Sequence, residues 1–336
     1  MKAIVIYEKG GPEKLIYTEV PTPEVREGWS LVKVQGFGIN HSEVFTREGQ
    51  SPSVTFPRIL GIECVGVIDQ TTDAGRLPVG QQVISIMGEM GRAFDGGYAE
   101  YVLLPNEQIY PVESDLPIDR LAALPETYYT AYGSMKNLRI QESDQILVRG
   151  ATSGVGIAFM KLVKAKYPNT RIVGTSRRTE KAGRLLEEGF DGIIIDDHNV
   201  LRDDKFIKNS TMGGQNHPER GMKFDKVLDL IGPAALRDTF LHMKEGSTVC
   251  CTGLLGGVWT LADFDPLEEL PADSYLTSFH SGHVTSAKLQ EMIDYVEEYK
   301  VPVKAEKVFS LSEVPKAHEY LDSADSFGKV VVVNDP

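Results

Sequence analysis

The first third of the chain is a succession of short segments in which apolar and polar residues alternate, the pattern of half-buried β-strands. Clusters of glycine and proline, such as Lys9–Pro12 and Arg76–Gln81, separate these segments and predict turns. Several short strands at this spacing indicate a small barrel or a barrel-like sandwich. The predicted strands are Lys2–Tyr7, Leu31–Phe37, Val65–Asp69, Gln82–Met87 and Ala99–Leu104.

From about Pro125 onward, apolar runs alternate with helical patterns. This β-α-β order predicts an α/β fold with an open, doubly wound parallel sheet. The charged stretch Arg202–Phe224 interrupts the order and is interpreted as a surface excursion. Beyond Ser281 the alternation ends, and two helices and a closing strand follow. The predicted strands of this part are Ile146–Val148, Arg171–Thr175, Asp191–Ile195, Lys226–Leu230, Thr248–Thr252 and Gly328–Val333, and the helices are Val155–Lys166, Glu180–Glu188, Ala287–Tyr299 and Pro315–Leu321.

Composition narrows the class of protein. A length of 336 residues suggests two domains, and the net charge of −13 argues against nucleic acid as the main partner. Three cysteines cannot form a disulfide framework, and no pair has the spacing of a zinc site. The N-terminus has no signal-peptide pattern, and the longest uncharged run, Gly246–Ala262, is short and rich in glycine. We therefore expect a cytoplasmic protein without a membrane span.

The strongest local motif is a glycine-rich turn between a predicted strand and a predicted helix. Small residues allow a close approach to the backbone, and N–H groups at a helix start attract a pyrophosphate. The alternative is an ordinary strand–helix turn. The residues predicted to bind the cofactor here are Ala151, Thr152, Ser153, Gly154, Val155 and Gly156.

The end of the next strand indicates which dinucleotide binds. An acidic residue about 20 residues beyond the turn would favour NAD, because it accepts hydrogen bonds from the ribose 2′-hydroxyl. This chain instead has Ser176, Arg177 and Arg178, with Lys181 further on. A hydroxyl and guanidinium groups suit a 2′-phosphate, so the predicted cofactor is NADPH. The alternative for the two arginines is a solvated loop.

Together these features resemble the medium-chain dehydrogenase/reductase superfamily, and specifically its zinc-free quinone oxidoreductase branch. The resemblance covers nearly the whole chain. It implies a GroES-like β-barrel substrate domain, residues 1–124 and 283–336, into which a Rossmann dinucleotide-binding domain, residues 125–282, is inserted. The other segments that carry it are Gly36–Asn40, Leu60–Gly66, Gly96–Tyr101, Tyr129–Tyr132 and Gly328–Val332.

The resemblance also implies that catalytic zinc is absent. Zinc alcohol dehydrogenases of the superfamily place a cysteine ligand where this chain has Asn40 and a histidine ligand where it has Ile62, with the third near Glu126. Catalytic zinc needs about three protein ligands, which these side chains cannot supply. Alcohol oxidation would then lack a Lewis acid, whereas a quinone or a conjugated carbonyl compound can accept hydride directly.

Residues of the predicted catalytic site follow from the same resemblance. Asn40 could donate a hydrogen bond to a substrate carbonyl, or could simply form a turn. Phe45 stands where members of the branch often carry a tyrosine, and Tyr128 or Tyr129 could restore a phenol or pack as core aromatics. On the cofactor side, the resemblance assigns nicotinamide contacts to Thr130, Gly253 and Leu254. Asp196 replaces a frequent tyrosine near the adenosine phosphate, where it could weaken NADPH binding or face solvent.

Two hypotheses from different classes remain at this stage. The first is an NADPH-dependent reductase of quinones or α,β-unsaturated carbonyl compounds, and the second is a low-turnover NADPH-binding module with a redox-sensing or structural role. We further expect a homodimer. The apolar segment Leu254–Leu270 is predicted to form a strand at the edge of the nucleotide-domain sheet, which another copy would cover.

Overall fold

In a computed structural model, which describes residues 1–208 and 221–334, the chain divides into two units. The first unit comprises Met1–Tyr129, Ser281–Glu298 and Val303–Pro336, and the second comprises Thr130–His280 and Tyr299–Pro302. The main divisions between the units fall at 129/130 and 280/281, and the predicted domain boundaries at 124/125 and 282/283 stay predictions. The assignment of Tyr299–Pro302 to the second unit was not predicted.

The N-terminal part of the first unit is built from short strands. Several of them, such as Lys2–Ile6 and Gln82–Ile86, are buried at nearly every position, whereas Tyr101–Pro105 alternates between buried and partly exposed positions as a half-buried strand does. Its elements are β1 (Lys2–Ile6), β2 (Leu15–Glu19), β3 (Trp29–Ile39), α1 (His41–Arg47), β4 (Arg58–Ile59), β5 (Glu63–Gln70), β6 (Gln82–Ile86), β7 (Tyr101–Pro105), β8 (Tyr110–Pro111) and α2 (Ile118–Leu121), and a π-helical turn follows at Leu124–Tyr128.

The second unit alternates strands with helices. Its elements are α3 (Tyr129–Leu138), β9 (Gln145–Arg149), α4 (Gly154–Lys166), β10 (Arg171–Ser176), α5 (Ala182–Glu188), β11 (Gly192–Asp197), β12 (Val200–Lys208), β13 (Phe224–Asp229), α6 (Leu236–Leu241), β14 (Met243–Cys251), α7 (Pro266–Glu269) and β15 (Tyr275–Ser278). The chain then returns to the first unit with α8 (Ser286–Glu298), β16 (Lys307–Phe309), α9 (Val314–Asp322) and β17 (Val330–Val333).

Two sheets form the first unit. One has the order β2-β1-β4, and the other has the order β16-β17-β3-β5-β6-β8, with β7 also paired to β3. The C-terminal strand β17 lies antiparallel to β3 and pairs Val330 with Ile39. This register places Lys329, just before β17, beside the end of β3, where Asn40 begins α1.

The second unit contains a seven-stranded sheet of order β12-β11-β10-β9-β13-β14-β15. The pairs from β11 to β15 are parallel, and β12 lies antiparallel to β11. The carboxyl ends of β9, β10, β13 and β14 therefore meet at one edge, where ligands bind in open α/β sheets. These observations confirm the predicted α/β class and its doubly wound parallel sheet.

Two predictions about individual elements were wrong, and one helix was not predicted. Residues 202–208 belong to the antiparallel strand β12 rather than to a surface excursion; part of the remainder, 209–220, lies outside the described residues. The segment Leu254–Leu270 is irregular apart from α7, and the edge strand on that side is β15. Helix α1 was not predicted, because it spans only seven residues directly after a strand.

Candidate functional site

The glycine-rich turn joins β9 to α4 at the carboxyl edge of the second unit's sheet. Ser153 caps the helix, because its Oγ accepts a hydrogen bond from the Gly156 N–H at 3.1 Å and donates one to Gly150 O at 2.8 Å. A Cβ on Gly156 would lie 2.8 Å from Ala151 Cα and from Gly150 O, so a larger residue would push the turn apart. Ala151 is buried, whereas Thr152, Gly154 and Val155 are partly exposed.

This turn fits the pyrophosphate of a dinucleotide. Helix α4 has 13 residues, and the N–H groups of its first turn carry the positive end of the helix dipole. The Ser153 cap occupies one of these donors, the Gly156 N–H, and holds the turn closed. Small side chains at the turn keep the approach to the backbone short.

The predicted 2′-phosphate residues lie where β10 ends. Arg177 and Arg178 are exposed, and within the described ranges neither guanidinium forms an ion pair. Ser176 is only 4% exposed, and its hydroxyl donates to Arg178 O and accepts from the Arg178 N–H. The hydroxyl therefore shapes the turn that presents the arginines. Lys181 is partly exposed one turn further on.

The predicted nicotinamide contacts are linked by a short chain of hydrogen bonds. Ser134 Oγ donates to Thr130 O at 2.7 Å and lies 2.9 Å from Thr252 Oγ1, which immediately precedes Gly253. Helix α3 is thereby fastened to the end of β14. Gly253 packs against the backbone of Leu230, and Leu254 is partly exposed. Thr130, Gly253 and Leu254 thus lie at one edge of the sheet.

A buried ionic group behind the glycine turn was missed by sequence reasoning. Arg149, the last residue of β9, is fully buried and forms ion pairs with Asp196 at 2.7 Å and Asp238 at 2.8 Å. It also donates to Ala235 O and Asn199 O. Asp196 is 4% exposed, so of the two alternatives for this residue the solvent-facing one is wrong. The signal was present, since a charged residue in an apolar strand needs a partner.

A second buried polar group, in the first unit, surrounds the predicted catalytic residue Asn40. Lys329 Nζ donates to Asn40 Oδ1 at 2.7 Å and to Glu63 Oε1 at 2.8 Å. Asn40 Nδ2 donates to Glu63 Oε1 at 3.0 Å and lies 3.5 Å from Glu43 Oε1. Glu43 also accepts from the N–H groups of Ile62 and Asn40, both at 3.2 Å. We call Asn40, Glu43, Glu63 and Lys329 the amide–ammonium cluster.

Burial governs the charge state of this cluster. Glu43 and Glu63 are at most 1% exposed, and Lys329 is 5% exposed. Desolvation and the neighbouring charge of Glu63 raise the pKa of Glu43 from 4.5 to about 7. One ammonium thus lies among two buried carboxyl groups, and burial favours the protonated form of Glu43. The sequence contained Glu63 and Lys329 inside the motifs of the resemblance, but nothing in it indicated that they meet.

The aromatic candidates lie in the same unit. Phe45 is partly exposed on α1, and Tyr128 is 3% exposed in the π-helical turn. The Tyr129 hydroxyl donates to His283 O at 3.0 Å, and burial raises its pKa to about 12. A Tyr129 phenol that is held in this way is a poor proton donor at neutral pH. The catalytic assignments of Asn40, Phe45 and Tyr128 stay predictions.

Comparisons with known proteins match this architecture. A family model described as the alcohol dehydrogenase GroES-like domain matches residues 26–114, and one described as zinc-binding dehydrogenase matches residues 201–332. A quinone oxidoreductase of Lama guanicoe is 26% identical, over 99% of this chain and 97% of that protein. The chain belongs to the medium-chain dehydrogenase/reductase superfamily. Its sequence relatives are those of the quinone oxidoreductase branch.

Solved structures of the superfamily share the fold over the whole chain. The quinone oxidoreductase from Coxiella burnetii has a TM-score of 0.78 and 23% identity, with 99% of each chain covered. A mycobacterial protein complexed with NADPH has a TM-score of 0.79 and 22% identity, with 99% of this chain and 100% of that chain covered. As a medium-chain dehydrogenase/reductase, this chain is an oxidoreductase that uses a nicotinamide dinucleotide.

The chemistry of the side chains does not fit the catalytic zinc of many superfamily members. Ile62 is a buried aliphatic residue, and Asn40 Oδ1 already accepts from the Lys329 ammonium at 2.7 Å. A cation at this distance repels a second cation. No group of three or more His, Cys, Asp or Glu in the described ranges is arranged to hold a metal ion. No helix in those ranges is long and apolar enough to cross a bilayer.

Proposed function

We propose that this chain is an NADPH-dependent, zinc-independent oxidoreductase that reduces quinones or α,β-unsaturated carbonyl compounds. The observation that carries the proposal is the exposed pair Arg177 and Arg178 at the end of β10, directly beside the glycine-rich turn of β9 and α4. The turn would hold the pyrophosphate, and the two guanidinium groups would hold the 2′-phosphate. When bound, the reduced nicotinamide supplies a hydride.

The substrate class follows from the side chains of the first unit. Asn40 would donate an Nδ2 hydrogen to the carbonyl oxygen of the acceptor, on which negative charge develops during reduction. A single amide stabilises such charge less than a metal ion does, so the acceptor must be electrophilic in itself. Quinones and conjugated carbonyl compounds meet this condition, whereas saturated ketones and aldehydes do not.

Steady-state oxidation of NADPH with a panel of acceptors tests the proposed function. The panel contains quinones, enals, enoyl thioesters and saturated aldehydes, each measured with NADPH and with NADH. We expect electron-poor quinones to react fastest and saturated aldehydes to react hardly at all. An enzyme that binds NADPH but turns over none of the acceptors would instead match the low-turnover binding module. Elemental analysis that finds stoichiometric zinc would contradict the assignment of Asn40 and Ile62.

We also propose that the protein is a homodimer that pairs through the β15 side of the second unit. Tyr275 of the edge strand β15 is 65% exposed, and in the segment that precedes β15 along the chain Trp259 is 57% and Leu267 92% exposed. An edge strand and exposed apolar side chains are both liabilities unless another chain covers them. Light scattering at micromolar concentration should give twice the chain mass of 37.1 kDa, and the mass of one chain would contradict the proposal.

We expect the protein to act in the cytoplasm. Its three cysteines are free, and Cys64 and Cys250 are buried, as suits a reducing compartment. Cell fractionation that recovers the protein in the soluble cytoplasmic fraction would agree, and recovery from an exported fraction would contradict this expectation.

A further inference from the structure

The Lys329 ammonium is saturated by three oxygen atoms of the first unit. It lies 2.7 Å from Asn40 Oδ1, 2.8 Å from Glu63 Oε1 and 3.5 Å from Ile39 O. An ammonium has three hydrogens, so each can be directed at one of these oxygens. The lysine is 5% exposed and therefore cannot exchange these partners for water.

The close packing around this ammonium requires a glycine. A Cβ on Gly38 would overlap Glu63 Oε1 and both Lys329 Cε and Nζ. Gly38 lies on β3, two residues before Asn40, in one of the motifs that carry the resemblance. Its missing side chain leaves the space in which the lysine reaches the amide.

These contacts fix the orientation of the Asn40 side chain. Oδ1 faces an ammonium, and Nδ2 faces the Glu63 carboxylate at 3.0 Å. A flipped amide would place two donors against each other at Lys329 and two acceptors against each other at Glu63. The flip is therefore strongly unfavourable in a buried site, where unmatched polar groups are costly.

The fixed orientation leaves one hydrogen of the amide weakly held. The first Nδ2 hydrogen goes to Glu63, while the nearest acceptor for the second, Glu43 Oε1, is 3.5 Å away. Asn40 is also the partly exposed member of the amide–ammonium cluster. A carbonyl oxygen that approached Asn40 could accept this second hydrogen without breaking the bond to Glu63.

We propose that Lys329 is a positioning residue, which holds Asn40 so that its Nδ2 hydrogen meets the carbonyl oxygen of the substrate. The ammonium also polarises the amide through its oxygen, which makes the N–H a better donor in a low-dielectric site. This inference rests on the proposed function and deepens it. Acting through the Asn40 amide, Lys329 supplies part of the charge stabilisation that a metal ion gives in zinc-dependent relatives.

The test compares two acceptors in a charge-balanced variant. Lys329→Met alone would leave Glu63 as a buried unpaired charge and could unfold the protein, so it is combined with Glu63→Gln. We expect Lys329→Met/Glu63→Gln to lower kcat for an enal about tenfold or more, and kcat for an electron-poor quinone by less than about threefold. The enal depends more on help at its carbonyl oxygen. The dissociation constant for NADPH should not change.

A matched control and a double-mutant cycle separate positioning from a general structural effect. Lys316→Met removes an exposed lysine of α9, paired with Glu313 at 3.2 Å, and should leave both rates unchanged. Adding Asn40→Ala to Lys329→Met/Glu63→Gln should cost little more, because both changes remove the same hydrogen bond.

Two results would overturn the proposal while the wild type remains an active reductase. One is an equal loss of rate with the enal and the quinone, and the other is a strictly additive loss in the cycle. A wild-type enzyme that reduces neither acceptor would overturn the proposed function itself and the positioning role with it. The two failures are therefore distinguishable.

Discussion

Both units of the molecule contain a buried cation that is paired with carboxyl groups next to a predicted ligand site, and the sites of Arg149 and Lys329 differ in what they offer a ligand. Arg149 in the second unit directs its guanidinium at Asp196, at Asp238 and at backbone carbonyls, and is fully buried. Lys329 in the first unit divides its ammonium between Glu63 and the amide of Asn40. Only the second arrangement ends in a partly exposed donor.

The difference shows that a charged residue in an apolar strand or next to one marks a buried ionic site without revealing its role. A guanidinium has five N–H groups in a fixed fork and can tie several elements together, as Arg149 ties β9 to β11 and α6. An ammonium is a compact charge that can orient one neighbour. Whether the buried cation has a structural role or a role in ligand binding depends on its neighbour, which must retain an N–H group that can donate to a ligand.

The largest expected effect concerns the purely structural site. Arg149→Met should lower the free energy of unfolding by about 3–5 kcal/mol, because it leaves Asp196 and Asp238 without their buried partner. Denaturant unfolding measures this change. The control Arg237→Met removes a solvent-screened pair with Glu269 in the same unit and should lower the free energy of unfolding far less. Equal losses in the two variants would remove the contrast between buried and exposed pairs.

The next effect is a pH dependence of stability that originates in the amide–ammonium cluster. The pKa of Glu43 is raised from 4.5 to about 7. The stability that protonated Glu43 gives the folded state is therefore fully present below about pH 4.5, and it is lost as the pH rises through about 7. Glu43→Gln should remove this loss, which amounts to as much as about 3 kcal/mol.

Urea unfolding of wild type and Glu43→Gln between pH 4.5 and pH 8 measures the pH dependence. The variant should gain stability relative to wild type only as the pH rises. Glu24→Gln, which changes an exposed carboxylate, should follow the wild type throughout. A constant difference between wild type and Glu43→Gln at every pH would contradict the account.

A smaller effect is expected at the exposed arginines of the second unit, which we propose bind the cofactor, whereas buried Arg149 has a structural role. Arg177→Ala should weaken NADPH binding by roughly tenfold or more, since a hydrogen bond to a charged group is worth about 1.5–3 kcal/mol. NADH lacks the 2′-phosphate and serves as the internal control, with its affinity almost unchanged. Fluorescence titration measures both, and equal dissociation constants for the two cofactors in the wild type would contradict the NADPH assignment.

The smallest effect concerns Phe45, at a position where the resemblance to the quinone oxidoreductase branch implies a tyrosine. It is partly exposed on α1, the helix that Asn40 precedes. Phe45→Tyr should raise the rate with an enal about two- to tenfold, the value of one added hydrogen bond. An unchanged or lower rate would show that a phenol at this position does not contribute.

The fold was largely predictable from the sequence, because its signals are local. Alternation predicted strands such as β6, and a short segment between two helical patterns predicted β10. The glycines of the turn before α4 predicted that turn. Strand β12 was missed, since its partner β11 rather than its own charged sequence makes it a strand. Helix α1 was missed because its seven residues owe their stability to packing, and Glu43, Val44, Thr46 and Arg47 are buried.

The candidate site was predictable only in part. Residues close together in the chain, such as those of the glycine-rich turn, could be grouped by their spacing. Lys329 and Asn40 are 289 positions apart, and Arg149 and Asp196 are 47 apart. Only sheet pairing brings each of these together, and no pattern along the chain records it. The predicted role of Asn40 therefore lacked the lysine that orients it.

The most direct measurement of the central claim follows deuterium from the cofactor to the product. Wild-type enzyme is incubated with an enal and with NADPH that carries deuterium at both positions of nicotinamide C4, and the product is examined by NMR. The account predicts deuterium at the carbon β to the carbonyl group and a rate far above that of the corresponding saturated aldehyde. A product without deuterium, or a saturated aldehyde that reacts faster than the enal, would contradict hydride delivery to a conjugated acceptor.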